Sequence, residues 1–183
     1  MSETDHIAAS KFMSLVLRHK PETIGLELDA EGWASVADLV AGSGGRLTEA
    51  LVRRIVAESD KQRFALSPDG TEIRANQGHS IVVDLGLEPR EPPERLFHGT
   101  AARFLESIRA VGLEPRSRQY VHLSVDAATA ESVGARHGKP VVLIIDSAGL
   151  HRDGHALFLS RNGVWLTKAV PAGYIGFGEH AAG

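Results

Sequence analysis

QRFALSPDGTEIRAN, residues 62–76, reads as two short strands about a tight turn. Pro68-Asp69-Gly70 is the turn signal: proline presets φ at the first corner, and glycine permits φ > 0. Phe64 and Leu66 alternate toward a core, so Arg63 points the other way beside the small Ala65. A small neighbour leaves room for a ligand to approach a guanidinium. A solvated arginine is the other reading, and the stretch alone keeps both open. Three helical segments are expected upstream. In the first, Ile7, Phe12, Leu15 and Val16 fit one face, and Pro21 stops it because the residue before proline avoids the α region. Residues 33–40 are expected as the second, ended by Gly42. Thr48 is the expected N-cap of the third, with Leu51, Ile55 and Val56 facing inward. Helices followed by a β-hairpin make a winged-helix-like unit, whose common use is nucleic-acid binding by analogy.

The first helix ends in LVLRHKPETIGLELD, residues 15–29. Arg18, His19 and Lys20 sit at its C-terminus, where cations interact favourably with the helix dipole. The same groups are suited to hold an anion. The stretch by itself leaves both readings standing.

Beyond the hairpin, DLGLEPREPPE (residues 84–94) is proline-rich and acidic, and has no periodicity. It marks a linker and divides the chain into expected domains 1–91 and 92–183. The pattern then changes. RLFHGT is an expected strand, with Thr100 as N-cap of a helix over 101–110. RQYVHLSV is a second strand, 126–137 a helix closed by Gly138, and PVVLIIDS an apolar and therefore central strand. ALFLS and VWLTKAV join through Arg161-Asn162-Gly163, a hairpin signal, and YIGFG is the last strand. The expected class is α+β, with a split β-sheet in the C-terminal lobe. No Gly-x-Gly-x-x-Gly follows a strand, and there is no Walker lysine loop.

Composition narrows the partners. The chain has 183 residues, no cysteine and a formal net charge of −3. Disulfides, thiolate metal sites and a cysteine nucleophile are excluded, and a reducing cytoplasm is the expected location. No apolar run approaches about 18 residues, so no membrane partner is expected, and the acidic start MSETDHIAAS does not read as a signal peptide. Up to Arg95 the chain holds 11 Lys+Arg against 16 Asp+Glu, a charge of −5; beyond it, 9 against 7, a charge of +2. A polyanion would have to be held by a local cluster of cations.

Two further stretches carry chemistry. In residues 118–124, RQYVHLS, Val121 and Leu123 point to a core, leaving Arg118, Tyr120, His122 and Ser124 on the other face. That row is a ligand-binding wall or a solvated edge. His98-Gly99-Thr100 closes a strand: glycine lets a backbone approach a ligand, and histidine donates or accepts a hydrogen bond. A structural turn explains the tripeptide equally well. Metal readings fail, because His98, His122, His137, His151 and His155 lack carboxylates at ligand spacing. A serine hydrolase lacks its Gly-x-Ser-x-Gly elbow.

Taken in order, L-R-H-K-P, Q-R-F-A-L, F-H-G-T, R-Q-Y-V-H-L-S, V-G-A-R-H-G-K-P and N-G-V-W-L resemble the RNA 2′-phosphotransferases, the NAD⁺-dependent enzymes best known for removing the tRNA splice-junction 2′-phosphate. The likeness spans roughly residues 7–177. It implies an N-terminal winged-helix lobe that binds RNA and a C-terminal ADP-ribosyltransferase-like lobe. It implies a catalytic set of Arg18, His19, Arg63 and Arg118, and places His98, Gly99, Thr100, His122 and Ser124 at an NAD⁺ site. The family's ADP-ribosyltransferase signature reads here as His98, His122 and Val164. Protein-modifying relatives often carry glutamate at that last position, so Val164 makes a protein acceptor less expected.

The implied reaction has two steps. The RNA 2′-phosphate attacks C1″ of the nicotinamide ribose and nicotinamide leaves. The ribose 2″-OH then attacks the phosphorus, freeing RNA with a 2′-OH and forming ADP-ribose 1″,2″-cyclic phosphate. Because the nucleophile is already a phosphate oxygen, orienting a dianion is the main task of step one. Arginine forks suit it. Fixed cations stabilise the charge that spreads in step two, where Arg118 is the expected contributor. His19, with an ordinary pKa near about 6.5, would donate hydrogen bonds or assist proton transfer. Lys20 and Arg74 are the expected additional RNA contacts. A monomer without metal is expected. The alternative is an ADP-ribosyltransferase that caps terminal phosphates of RNA or DNA.

Overall fold

The structure, a computed structural model, describes residues 3–178. The chain divides into two compact units, Met1–Gly86 and Leu87–Gly183. Both mix helices with small antiparallel sheets, so the protein is α+β.

The first unit opens with α1 (Glu3–Arg18). Its core face is Ala9, Met13, Val16 and Leu17, all buried, whereas Ile7 and Leu15 are 49% and 41% exposed. This corrects the expected stripe. The helix carries apolar residues on more than one side, and periodicity does not say which side the other elements cover. A 3₁₀ turn, Pro21–Ile24, follows at once. Ala34–Ser35 form the short strand β1, so α2 starts only at Val36 and runs to Gly42. The Ser35 hydroxyl accepts the Asp38 N–H at 3.2 Å, which caps it. Helix α3 (Glu49–Glu58) is capped as expected: Thr48 Oγ1 accepts the Leu51 N–H at 3.2 Å. The hairpin is β2 (Phe64–Leu66) and β3 (Glu72–Ala75), with Phe64 opposite Ala75 and Leu66 opposite Ile73. Its turn is closed by the Gly70 N–H donating to the Ser67 carbonyl. Strand β3 also pairs with β1, giving the order β1-β3-β2.

Among the described residues, the second unit holds two three-stranded sheets. One contains β4 (Arg95–Ala101), β6 (Pro140–Asp146) and β9 (Ile175–Phe177) in the order β4-β6-β9. The other contains β5 (Val121–Leu123), β7 (Leu157–Leu159) and β8 (Trp165–Thr167) in the order β5-β8-β7. Leu96, Leu123, Leu143, Ile145 and Leu157 from both sheets share one buried core. The sheets meet at a bridge, where Phe97 and Ser124 exchange both backbone hydrogen bonds at 2.8 Å.

Thr100 is not a helix cap. It lies in β4 opposite Val141 and is buried. Pairing with the β-branched Val141 and the neighbouring Val142 carries the strand to Ala101, and a 3₁₀ turn precedes α4 (Leu105–Val111). Helix α5 (Ala127–Gly134), capped by the Asp126 carboxylate, packs on β4 at two glycines. A Cβ on Gly99 would overlap the Ala130 carbonyl, and one on Gly134 would lie 2.6 Å from the Thr100 oxygen. Helix and strand approach this closely because both positions lack side chains. Helix α6 (Ser147–Arg152) follows β6.

Candidate active site

In the first unit the structure brings Arg18, His19 and Arg63 together. Arg18 folds back from the end of α1. Its Nη2 donates to the Arg63 carbonyl at 3.4 Å, and its guanidinium lies 5.7 Å from the centroid of Phe64. Arg63 precedes β2, and its carbonyl also accepts the Asn76 N–H at 3.0 Å. An open groove of about 550 Å³ runs along α1 and the α3–β2 turn, with Ser14, Leu15, His19, Lys61 and Arg63 among its lining. The apolar residues that α1 does not bury are therefore groove walls: Ile7 and Leu15 both line it.

The segment leaving β3 passes directly over this cluster. The Ser80 N–H donates to the Arg18 carbonyl at 3.0 Å, and the Ser80 hydroxyl lies 2.9 Å from His19 Nδ1. Sequence reasoning singled out neither Ser80 nor its neighbour His79. The only local cue is the run Asn76-Gln77-Gly78-His79-Ser80 just after a strand, where no periodicity applies. His79 is 1% exposed, and its pKa is lowered to about 4, chiefly by burial, then by the charges of Arg18, His19 and Arg74. It is neutral at pH 7, which spares the cluster a further positive charge.

Arg74 is corrected as an RNA contact. It is 8% exposed, stacks 4.6 Å over Trp33 and lies 3.7 Å from a Glu31 carboxylate oxygen. The strand residue that alternation sends away from the Phe64 face is roofed by the Asp29–Trp33 turn. Lys20 is exposed.

Burial of a neutral His79 has a measurable consequence. Between about pH 6.5 and pH 4 the unfolded chain takes up a proton that the folded chain refuses, so stability is fully present above 6.5 and falls on acidification through that window. A shift of this size corresponds to on the order of 3 kcal/mol. In thermal melts at pH 7.5 and pH 4.5, His79→Gln is expected to lose markedly less stability on acidification than the native chain. Equal losses would show that other groups set the acid limb.

In the second unit His98, Arg118, His122 and Ser124 come together. His98 Nδ1 lies 2.9 Å from the His122 carbonyl oxygen. A carbonyl only accepts, so Nδ1 carries the proton and Nε2 is left as an acceptor. Burial lowers the His98 pKa; the bond to the His122 carbonyl raises it, and the Arg118 charge lowers it. The ring is held neutral in one tautomer. Arg118 lies in the turn before β5, not on the strand, and reaches back so that Nη1 is 3.4 Å from His122 Nδ1. Its pKa is lowered first by desolvation and then by Arg136. Val121 and Leu123 are buried as alternation requires. Tyr120 packs edge-on against Phe158, and Lys168 Nζ lies 4.2 Å from its ring centroid. Val164 stands one residue beyond the Leu123–Trp165 pair, next to the end of β5. Gly99 and Thr100 are in β4, beside His98 in sequence but engaged by α5 and β6.

Comparison with known proteins is consistent across the chain. The family model described as RNA 2′-phosphotransferase, Tpt1/KptA family, matches residues 4–169. A probable RNA 2′-phosphotransferase of Agrobacterium fabrum is 61% identical over 171 residues, 92% of each chain. One of Pectobacterium carotovorum is 54% identical over 179 residues, 96% of each chain. One of Streptomyces coelicolor is 51% identical over 180 residues, 97% of this chain and 98% of the relative.

Proposed function

The chain belongs to the RNA 2′-phosphotransferase family, and from that premise we propose that it is an NAD⁺-dependent enzyme that moves an internal 2′-phosphate of a tRNA-like RNA to ADP-ribose. The products are nicotinamide, RNA with a 2′-OH and ADP-ribose 1″,2″-cyclic phosphate, by way of RNA carrying ADP-ribose on its 2′-phosphate. The observation that carries this reading is the gathering of three cationic-type side chains in a unit whose net charge is negative: His19 and Arg63 line one groove, and Arg18 is bonded to the Arg63 carbonyl. That is the arrangement expected of a local phosphate site rather than of a general basic surface.

In this reading Arg18 and Arg63 orient the phosphate dianion through planar, permanently charged forks. His19 supplies a ring nitrogen for hydrogen bonding or proton transfer. NAD⁺, as co-substrate, supplies an electrophilic ribose carbon and a leaving group. The residues of the second unit fit it: the bare Nε2 of His98 is an acceptor suited to a ribose hydroxyl, and its fixed tautomer makes that role permanent. Gly99, Thr100, His122, Ser124 and Val164 complete the proposed NAD⁺ site. Arg118 stabilises charge on the phosphorus during the second step. The proposal treats residues 1–91 as a winged-helix RNA-binding lobe and 92–183 as an ADP-ribosyltransferase-like lobe, and takes the enzyme to act as a cytoplasmic monomer. No helix among the described residues is long and apolar enough to cross a membrane.

The test is product analysis. Incubated with NAD⁺ and a short RNA bearing one internal 2′-phosphate, the protein is expected to yield 2′-OH RNA and the cyclic phosphate in equal amounts. An unchanged RNA would overturn the proposal. A retained ADP-ribose on a terminal phosphate would point to capping instead.

A further inference from the structure

Ser80 is bonded to two consecutive residues of the candidate centre. Its backbone N–H donates to the Arg18 carbonyl at 3.0 Å, and its hydroxyl lies 2.9 Å from Nδ1 of His19. Two attachments of this kind fix where the hydroxyl sits relative to the imidazole. The rest of the segment repeats the pattern. Gly78, at φ +90°, passes so close to Arg18 that a Cβ there would lie 3.4 Å from Nη1. Asn76 donates its backbone N–H to the Arg63 carbonyl and its side-chain amide to the Gln62 carbonyl. One run of five residues therefore ties down Arg18, His19 and Arg63 at once.

We propose that Ser80 is the positioning residue of His19: its hydroxyl holds Nδ1, fixes the plane of the ring and presents Nε2 to the 2′-phosphate. The identity of that phosphate rests on the phosphotransferase reading; the hold on the ring does not. An imidazole turns about its Cβ–Cγ bond, and a half-turn exchanges Nδ1 with a carbon that bonds poorly. A hydrogen bond at Nδ1 removes that freedom. The choice of serine has a physical reason. A hydroxyl both donates and accepts, so it keeps the contact whether Nδ1 is bare or protonated, and His19 can change protonation state without losing its orientation. A carboxylate in the same place would accept only. It would also add a negative charge beside His19, competing with the phosphate for that ring.

The test combines a substrate-free measurement with kinetics on the full chain. The ring ¹⁵N shifts of His19 are expected to move in Ser80→Ala and to stay near native values in Ser80→Thr, which keeps the hydroxyl. Ser80→Ala is expected to lower kcat by about 10- to 100-fold, the scale of a misplaced catalytic group, with KM for NAD⁺ little changed. In a His19→Ala background the same change is expected to cost almost nothing more, because coupled residues are non-additive. Unmoved His19 ring signals in Ser80→Ala, or an equal loss with His19 already removed, would overturn the proposal. A protein that leaves 2′-phosphorylated RNA unchanged defeats the functional reading alone. The ring signals still decide whether Ser80 holds His19.

Discussion

Arg118→Ala is expected to slow 2′-phosphate removal by about 10²- to 10³-fold, the usual cost of removing one group that stabilises transition-state charge. It is also expected to let RNA carrying ADP-ribose on its 2′-phosphate accumulate. In the proposed reaction the two steps ask different things of the protein. In the first, a phosphate oxygen that is already anionic forms a bond to C1″ while the bond to nicotinamide breaks. In the second, the ribose 2″-oxygen bonds to phosphorus as the RNA 2′-oxygen leaves, and negative charge spreads over the phosphate. A fixed cation matters most there. Arg118 is suited to that part. Desolvation and the charge of Arg136 both bear on its guanidinium. The ion pairs His6–Glu58, Arg53–Glu49, Arg54–Glu58 and Arg74–Glu31 do not involve it. Its Nη1 is anchored 3.4 Å from His122 Nδ1. Arg118→Lys is expected to recover little, since a point charge does not reproduce a planar fork. The check is single-turnover analysis of RNA products. Native turnover in Arg118→Ala would remove this residue from the mechanism.

Gly99→Ala is expected to destabilise the second unit by more than about 3 kcal/mol, a large share of the roughly 5–15 kcal/mol typical of a folded domain. The added methyl would overlap the Ala130 carbonyl and lie 2.9 Å from the Gly134 nitrogen. Both obstacles are helix backbone, which cannot rotate away as a side chain would, so α5 must shift off β4. Gly134→Ala is expected to act through the same contact from the other side, against the Thr100 oxygen at 2.6 Å. For a unit of this size a loss of that order lowers Tm by more than about 10 °C. Thermal and denaturant unfolding would read it. Native-like melting would mean that α5 does not lie on β4 this closely.

That pair of glycines shows how far the sequence could be read. Beside His98, Gly99 reads naturally as a place where backbone approaches a ligand. The structure points its open side at α5, because the packing partner is some thirty residues away in the chain and leaves no local mark. Ile7 and Leu15 misled for a related reason. Helical periodicity identifies apolar faces, but whether a face meets a core or lines a groove depends on elements far along the chain. Arg74 obeys strand alternation and still is buried, because Trp33 covers the other side of the hairpin.

What the sequence determined by itself is what short-range physics controls. The Pro-Asp-Gly turn, the Thr48 cap, the stop at Pro21, the Arg161-Asn162-Gly163 hairpin and the alternation of Val121 and Leu123 follow from local conformational preference and from periods of two and 3.6. The ordered motifs also carried the family. Only the tertiary structure decided what depends on long-range contact. It set which side of α1 is core, seated Arg18 and His19 beside Arg63 and beneath Ser80, buried His79 as a neutral ring and fixed the His98 tautomer through the His122 carbonyl. Each of these joins residues 24 or more positions apart, where spacing along the chain carries no geometric information.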